Sequence, residues 1–442
     1  MPFHTRKAVA VAASALALLG AAGCNVDVTN PNQANQHAIF TTREGIVRLA
    51  VGVQSRWGEQ QDDFIFPGGL ITDELGAKKG ALQSYRDAAT GVLDPTYDAV
   101  RLSWLSHYRT VATADDILAN APNVAELSDS TRSGVMVLAM VAKAEALGQL
   151  LQQYKQIVIH PTPGANVYVD RAAALAEVRS LLDKAAQQYA TLRPGAEFTT
   201  QIKDSRLDLK STIPALQARY ARLANDWQAA LAAANQVDLA SFSRFSYSAS
   251  VVNPVASGFA AYALPLDTLK LAAETGDARV AYHERLDSAV AGDLNRTLHP
   301  FAQFANAAAS VPVYYPGEVQ LIRAEAEAQL GQLSAAAAAV DSVRTKCAAG
   351  AATPQACLQP LLPTELDTKE KILAEVYRQR KLELFGTGLR WEDARRLGSV
   401  GPALIARRCW LMYPIDQRNA DSSVPADPEP ASPPSSAVAS CF

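Results

Sequence analysis

The residues best equipped for chemistry are few. Asp62-Asp63 and Asp115-Asp116 are paired carboxylates, the residue type that serves as acid and base in glycoside hydrolysis. Neighbours in sequence do not give the separated, opposed carboxylates that such a reaction needs. His283-Glu284 lacks the second His of a zinc-protease helix, and no GxSxG, HExxH or Walker loop occurs. The chain therefore reads as no enzyme, with no cofactor and no metal site. Its cysteines point to covalent structure instead. Apart from Cys24 there are Cys347, Cys357, Cys409 and Cys441, an even set that suggests disulfides in an exported protein. Cys347 and Cys357 flank the short loop AAGAATPQA, whose closure would contribute about 2–3 kcal/mol. Cys409 with Cys441 follows by elimination. Without a CxxC pair or spaced His ligands, zinc is not indicated.

Export is read from the start of the chain. Arg6 and Lys7 precede the apolar run Ala8 to Leu19, which has signal-peptide length and is too short to span a bilayer. Gly20-Ala21-Ala22-Gly23-Cys24 then looks like a bacterial lipobox, with Cys24 lipidated as the first mature residue. Ala21 stands where Leu is usual, so ordinary cleavage after small residues is the alternative. Several acyl chains, at about 0.8 kcal/mol per buried methylene, would anchor the protein firmly. Residues 24–36 form an Asn/Gln-rich tether with no core-forming pattern. The net charge of -3 points to no nucleic-acid partner. No run of eighteen or more apolar residues occurs in the body, so no transmembrane helix is expected there.

The elements that must position any site are mostly helices. Alanine is abundant and long Val/Ile runs are scarce, which favours a mainly α fold. Thr41-Thr42-Arg43-Glu44 can cap a helix carrying Ile46, Leu49, Ala50, Val53 and Trp57. Further helices are expected from Trp104 to about Asn120, from Ser130 to Tyr154 and from Arg171 to Tyr189. Ile213 to Val237 reads as a helix, a tight Ala-Asn-Asp turn and a second helix. Glu318 to Arg344 repeats the plan, with Gly331 as the stop and Ser334 as the new cap. Such pairs resemble tetratricopeptide units, though unevenly spaced. Two stretches break the regularity. Gln60 to Tyr97 reads as loop-rich, with Pro67-Gly68-Gly69. Ser241 to Tyr315 is a long irregular insert dense in Phe and Tyr, and inserts of this kind are often functional. The tail after Pro414 is Pro/Ser-rich and expected to be poorly ordered.

The last periodic segment is KEKILAEVYRQRKLELFGTGLRWEDARRLG, Lys369 to Gly398. Ile372, Leu373, Val376, Tyr377, Leu384 and Phe385 share a helix face, and Gly386 and Gly388 end it. On composition alone its many charges would be a solvated face. Their order, however, resembles the C-terminal signature of SusD/RagB-type outer-membrane lipoproteins. Asn30-Pro31, FTTREGIVRLAVGVQSRW, Thr72-Asp73-Glu74, NDWQAAL, EVQLIRAEAEAQLG and Tyr413-Pro414-Ile415 follow in the family's order, so the resemblance runs nearly end to end. Phe385-Gly386-Thr387-Gly388 departs from the usual acidic residue before a single Gly, and Pro414-Ile415-Asp416 from the usual Pro-Ile-Pro.

The resemblance implies a tetratricopeptide-like α-superhelical scaffold over 37–412, after a signal peptide at 1–23 and before a tail at 413–442. It implies a lipid-anchored protein of the outer membrane, at the cell surface, with a SusC-like TonB-dependent β-barrel as partner. Such a protein captures an oligosaccharide, or a peptide, and delivers it to the barrel. A periplasmic helical-repeat scaffold that binds only protein is the alternative. Sugars stack their apolar faces on aromatic rings and hydrogen-bond to polar side chains. Family members build pockets in loops like 60–97 and 241–315, which makes Tyr85, Arg86, Tyr97, Tyr247, Tyr262 and Tyr282 the candidate ligand-binding residues. Trp104, Trp227 and Trp391 are expected in the core.

Overall fold

Short polar residues start several of the helices, each by accepting a hydrogen bond from an otherwise unpaired backbone amide. Thr42 takes the Gly45 amide at 3.1 Å, Ser128 the Thr131 amide at 3.2 Å and Asp170 the Ala173 amide at 2.9 Å. Each such cap contributes about 1 kcal/mol. The computed structural model describes residues 36–397, 408–431 and Cys441. The expected leader and Cys24 lie outside the described residues.

The chain is mainly α, as its composition requires. Helix α1 (Arg43–Glu59) and α2 (Gln61–Ile71) are followed by α3 (Asp98–Asn120), α4 (Asp129–Gln153) and α5 (Arg171–Thr191). Then come the pair α6 (Leu209–Leu223) and α7 (Trp227–Ala234) and the pair α8 (Pro316–Gln329) and α9 (Leu333–Thr345). The signature supplies α10 (Lys369–Glu383) and α11 (Arg390–Leu397). Neighbours pack in succession: α1 on α3, α3 on α4, α4 on α5, α5 on α6, α7 on α8, and α8 on both α9 and α10. Helix α4 is long and apolar enough to cross a membrane, yet nearly all of that stretch is buried inside the protein. Its apolar surround is that of a helix enclosed by others.

Several expectations are corrected. The stretch 60–97 is not loop-rich at its start. Helix α2 runs through Pro67-Gly68-Gly69 with Phe64, Ile65, Phe66, Leu70 and Ile71 buried. Tertiary burial overrides the local breakers, and Gly68 lies against the signature, where an added Cβ would sit 3.3 Å from the Gly388 carbonyl oxygen. Helix α9 begins at Leu333, without a side-chain cap, so Ser334 is not the cap. Trp104 and Trp391 are buried, but Trp227 is only half-buried and lines an open pocket. The tail is packed where it is described. Ile415–Ala420 is helical, Arg101 pairs with Asp416 at 2.8 Å, and Asp427 accepts from the Tyr413 amide at 2.8 Å. Cys347 is bonded to Cys357, and Cys409 to Cys441.

The largest correction concerns the later charges of the signature, Arg380, Glu383, Arg390, Glu392, Asp393 and Arg395, which are buried, while Glu370 and Lys371 at its start are solvated. Asp393, 2% exposed, accepts from Arg380 at 2.7 Å and meets Arg222 of α6 at 2.9 Å. Arg222 also holds Glu325 of α8, which Arg396 reaches at 3.4 Å. Glu392 binds Arg171 at 2.6 Å and Arg395 at 2.7 Å. The signature is thus an electrostatic clamp on the helix pairs. Its two glycines supply the turn, with φ of +69° at Gly386 and +82° at Gly388. A Cβ on Gly388 would also sit 2.5 Å from the Phe64 ring. Gly388→Ala should therefore lower stability by about 1–3 kcal/mol, read from the urea midpoint.

Candidate functional site

Two stretches distant in sequence form one surface because short strands join them. Strand β1 (Leu75–Ala77) pairs antiparallel with Ala263–Pro265, in the register Leu75↔Pro265 and Ala77↔Ala263. The pairing continues where the Lys78 amide donates to the Tyr262 carbonyl at 2.8 Å. The insert is closed at its base by Arg244–Phe245 against Val311–Pro312. Its residues are therefore held by backbone hydrogen bonds although no long element runs through them.

This register sets Tyr262 beside the short helix Gln83–Ala88. Tyr85 and Tyr262 stack with ring centroids 4.5 Å apart and planes 10° from parallel. Phe66 of α2, buried, meets Tyr85 edge-on at 5.0 Å. Both tyrosines are half-buried. Polar groups surround them. Tyr97 donates to Asp87 at 2.7 Å, and Arg86 donates to Gln83 while its Nε is buried without a partner. The Tyr85 hydroxyl is pushed up to about 12 by burial, then by Asp98, Tyr262, Asp62 and Asp63. Its hydrogen bond to Asp87 pushes Tyr97 up to about 12 as well. At neutral pH both hydroxyls keep their protons and can donate as well as accept. An apolar ring surface fringed by such hydroxyls and by carboxylates suits a polyhydroxylated ligand.

The six candidate residues do not form one group. Tyr85, Arg86, Tyr97 and Tyr262 share this surface. Tyr247 serves packing: its hydroxyl donates to the Gly58 carbonyl at 2.8 Å. Burial, followed by the Asp62 charge, raises it far above the ordinary tyrosine value. Tyr282 belongs to another cluster, donating to the Ala352 carbonyl at 3.0 Å with Tyr315 at 3.3 Å. Phe66 and Asp87 were missed. Phe66 was hidden because the Pro-Gly-Gly run masks the helix that buries it. Asp87 lies one residue beyond the Tyr85-Arg86 pair, and no sequence signal marks it as the acceptor for Tyr97.

The paired carboxylates diverge. Asp62 faces Gly258 of the insert, its Oδ2 being 3.9 Å from an added Cβ there. Asp63 lines an open cleft of about 730 Å³ with Ser106 and Arg109. Burial raises both carboxyls, and the Asp62 charge raises Asp63 further. They do not face one bond from two sides. Asp115 is engaged by Lys143 at 2.6 Å.

Residues 301–425 match the model of the SusD family. The fold is similar to a SusD superfamily protein from Bacteroides thetaiotaomicron, with TM-score 0.69 and 14% identity, covering 88% of this chain and 100% of that one. It is similar to a laminarin-binding SusD-like protein, with TM-score 0.66, 14% identity and the same coverage. A SusD-like carbohydrate-binding protein from Bacteroides vulgatus aligns with TM-score 0.59 and 13% identity, over 81% of this chain and 84% of that one. No curated protein matches the sequence significantly.

Proposed function

We propose that the chain is a member of the SusD/RagB family, on the match of residues 301–425 and the shared fold, and that it is a non-catalytic, glycan-binding nutrient receptor of the cell envelope. The observation that carries this is the stacked Tyr85–Tyr262 pair, held by a strand register and fringed by Asp87, Tyr97 and Arg86. Rings fixed in advance lose little freedom when a sugar stacks on them, so the platform adds affinity at low entropic cost. The diverging Asp62 and Asp63 support binding over hydrolysis. The laminarin-binding and carbohydrate-binding structures of the same fold support a saccharide ligand, with peptide as the second choice.

In this proposal Cys24 carries the lipid anchor in the outer membrane, and the protein hands its ligand to a SusC-like TonB-dependent β-barrel. A gentle detergent pull-down of tagged chain from outer membranes tests the delivery step, with Cys24→Ser as the control. The tagged chain is expected to co-elute with one large TonB-dependent barrel, and Cys24→Ser to leave the membrane fraction. Membrane attachment without any barrel would overturn delivery while leaving ligand binding to be judged on its own.

A further inference from the structure

A second pocket lies among the helix pairs. It has a volume of about 650 Å³ and opens to solvent between α5, the α6–α7 turn, α8 and α11. Trp227, Leu175 and Leu223 give it an apolar lining, Arg171, Arg179 and Arg396 give it positive charge, and Glu325 contributes one carboxylate. Trp227 stands half-buried there, with the Arg396 guanidinium 5.7 Å from its ring centre.

The charge in this pocket is not balanced. Among the described residues, Arg380, Arg222 and Arg396 are linked in one chain of ion pairs by two carboxylates, Asp393 and Glu325. Arg396 is the terminal member, and its contact to Glu325 is the longest at 3.4 Å. The next carboxylate, Glu392, is engaged by Arg171 and Arg395. Arg179 at the rim is paired with Asp226 at 2.6 Å. Arg396 is 11% exposed along its side chain, donates to Asn225 at 3.0 Å, and leaves Nη1 buried without a hydrogen bond. Burial and the nearby Arg222 charge hold its guanidinium down to about 10. A cation kept from water and short of acceptors favours an anion brought to it.

We propose that this pocket binds a small organic acid, with its carboxylate on Arg396 and a flat or ring-shaped body over Trp227. Arg179 would add a second donor from the rim. The Tyr85–Tyr262 surface contributes no residue to this pocket, so the inference stands apart from the glycan-binding proposal.

Titration of the purified full-length chain with D-glucuronate and with benzoate tests it, at constant ionic strength, by calorimetry and tryptophan fluorescence. D-glucose and benzyl alcohol are the uncharged counterparts. At least one acid should bind saturably and perturb the fluorescence, and neither neutral compound should do so. Arg396→Gln should weaken that binding by about tenfold or more, with Arg396→Lys in between. If Arg396→Gln lowers the melting temperature sharply, Arg179→Gln takes its place and should weaken binding about threefold to tenfold. The proposal fails if neither acid saturates by about 50 mM, which corresponds to negligible affinity. It fails equally if binding survives the arginine substitutions unchanged.

Discussion

Asp393→Asn is expected to destabilise the protein by about 3–5 kcal/mol, because it leaves the buried Arg380 without its carboxylate and Arg222 with Glu325 alone. Arg380 donates to Asp393 at 2.7 Å and Arg222 meets it at 2.9 Å, and all three side chains are almost fully buried. Asparagine keeps the volume but not the charge, so packing loss does not explain the effect. The pH dependence identifies the cause. Asp393 is held at about 2, below its ordinary 3.8, by Arg380 and Arg222 overcoming the burial that opposes them. A depressed carboxyl contributes stability above its unfolded value, and that contribution is lost as pH falls through the folded one. Parent and variant should therefore differ fully above about pH 4 and converge toward pH 2 in denaturant midpoints. A constant gap across that window would assign the loss to packing.

Glu284→Gln is expected to do the reverse, stabilising the protein by about 2–4 kcal/mol at pH 9 and changing little at pH 4. Glu284 is 2% exposed, and burial, then Asp267 and Glu74, push its carboxyl up to about 8 from 4.5. Lys270 offsets this only in part. A raised carboxyl favours the folded state most when protonated. Its contribution is full below about pH 4.5 and is lost as pH rises toward 8. Glu74, raised to about 7 by burial despite Arg390 and Lys381, slopes the same way. Melting temperatures of parent and variant from pH 4 to 9 should diverge progressively from about pH 5 and reach a constant gap above about pH 8. A gap of the same size at pH 4 and pH 9 would contradict this account.

Much of the scaffold was legible because its helices are long, capped and periodic. The pairs around Asn225-Asp226 and Gly331 follow from residues that bear their own reasons: Asn225 takes φ +57° and Gly331 takes φ +79°. What failed was burial of charge. Nothing local tells that Glu383 and Asp393 face inward, since their partners Arg279 and Arg222 lie on other elements, and Arg380 follows Asp393 inward. Only the family order of the signature hinted that these residues act together. The site was half legible for the same reason. Tyrosine-rich irregular stretches drew attention to Tyr85 and Tyr262, but the pairing of residues 75–77 with 263–265 is non-local. That pairing decides that Tyr85 meets Tyr262, while Tyr282 belongs elsewhere.

The most direct test is calorimetric titration of the full-length chain with a panel of neutral oligosaccharides, repeated with Tyr262→Ala and Tyr85→Ala. At least one oligosaccharide should bind saturably, and either substitution should weaken it by about tenfold or more through lost ring stacking. Both variants should melt near the parent. Binding that is indifferent to both substitutions, or no saccharide binding across the panel, would contradict the assignment of the Tyr85–Tyr262 surface as the glycan platform.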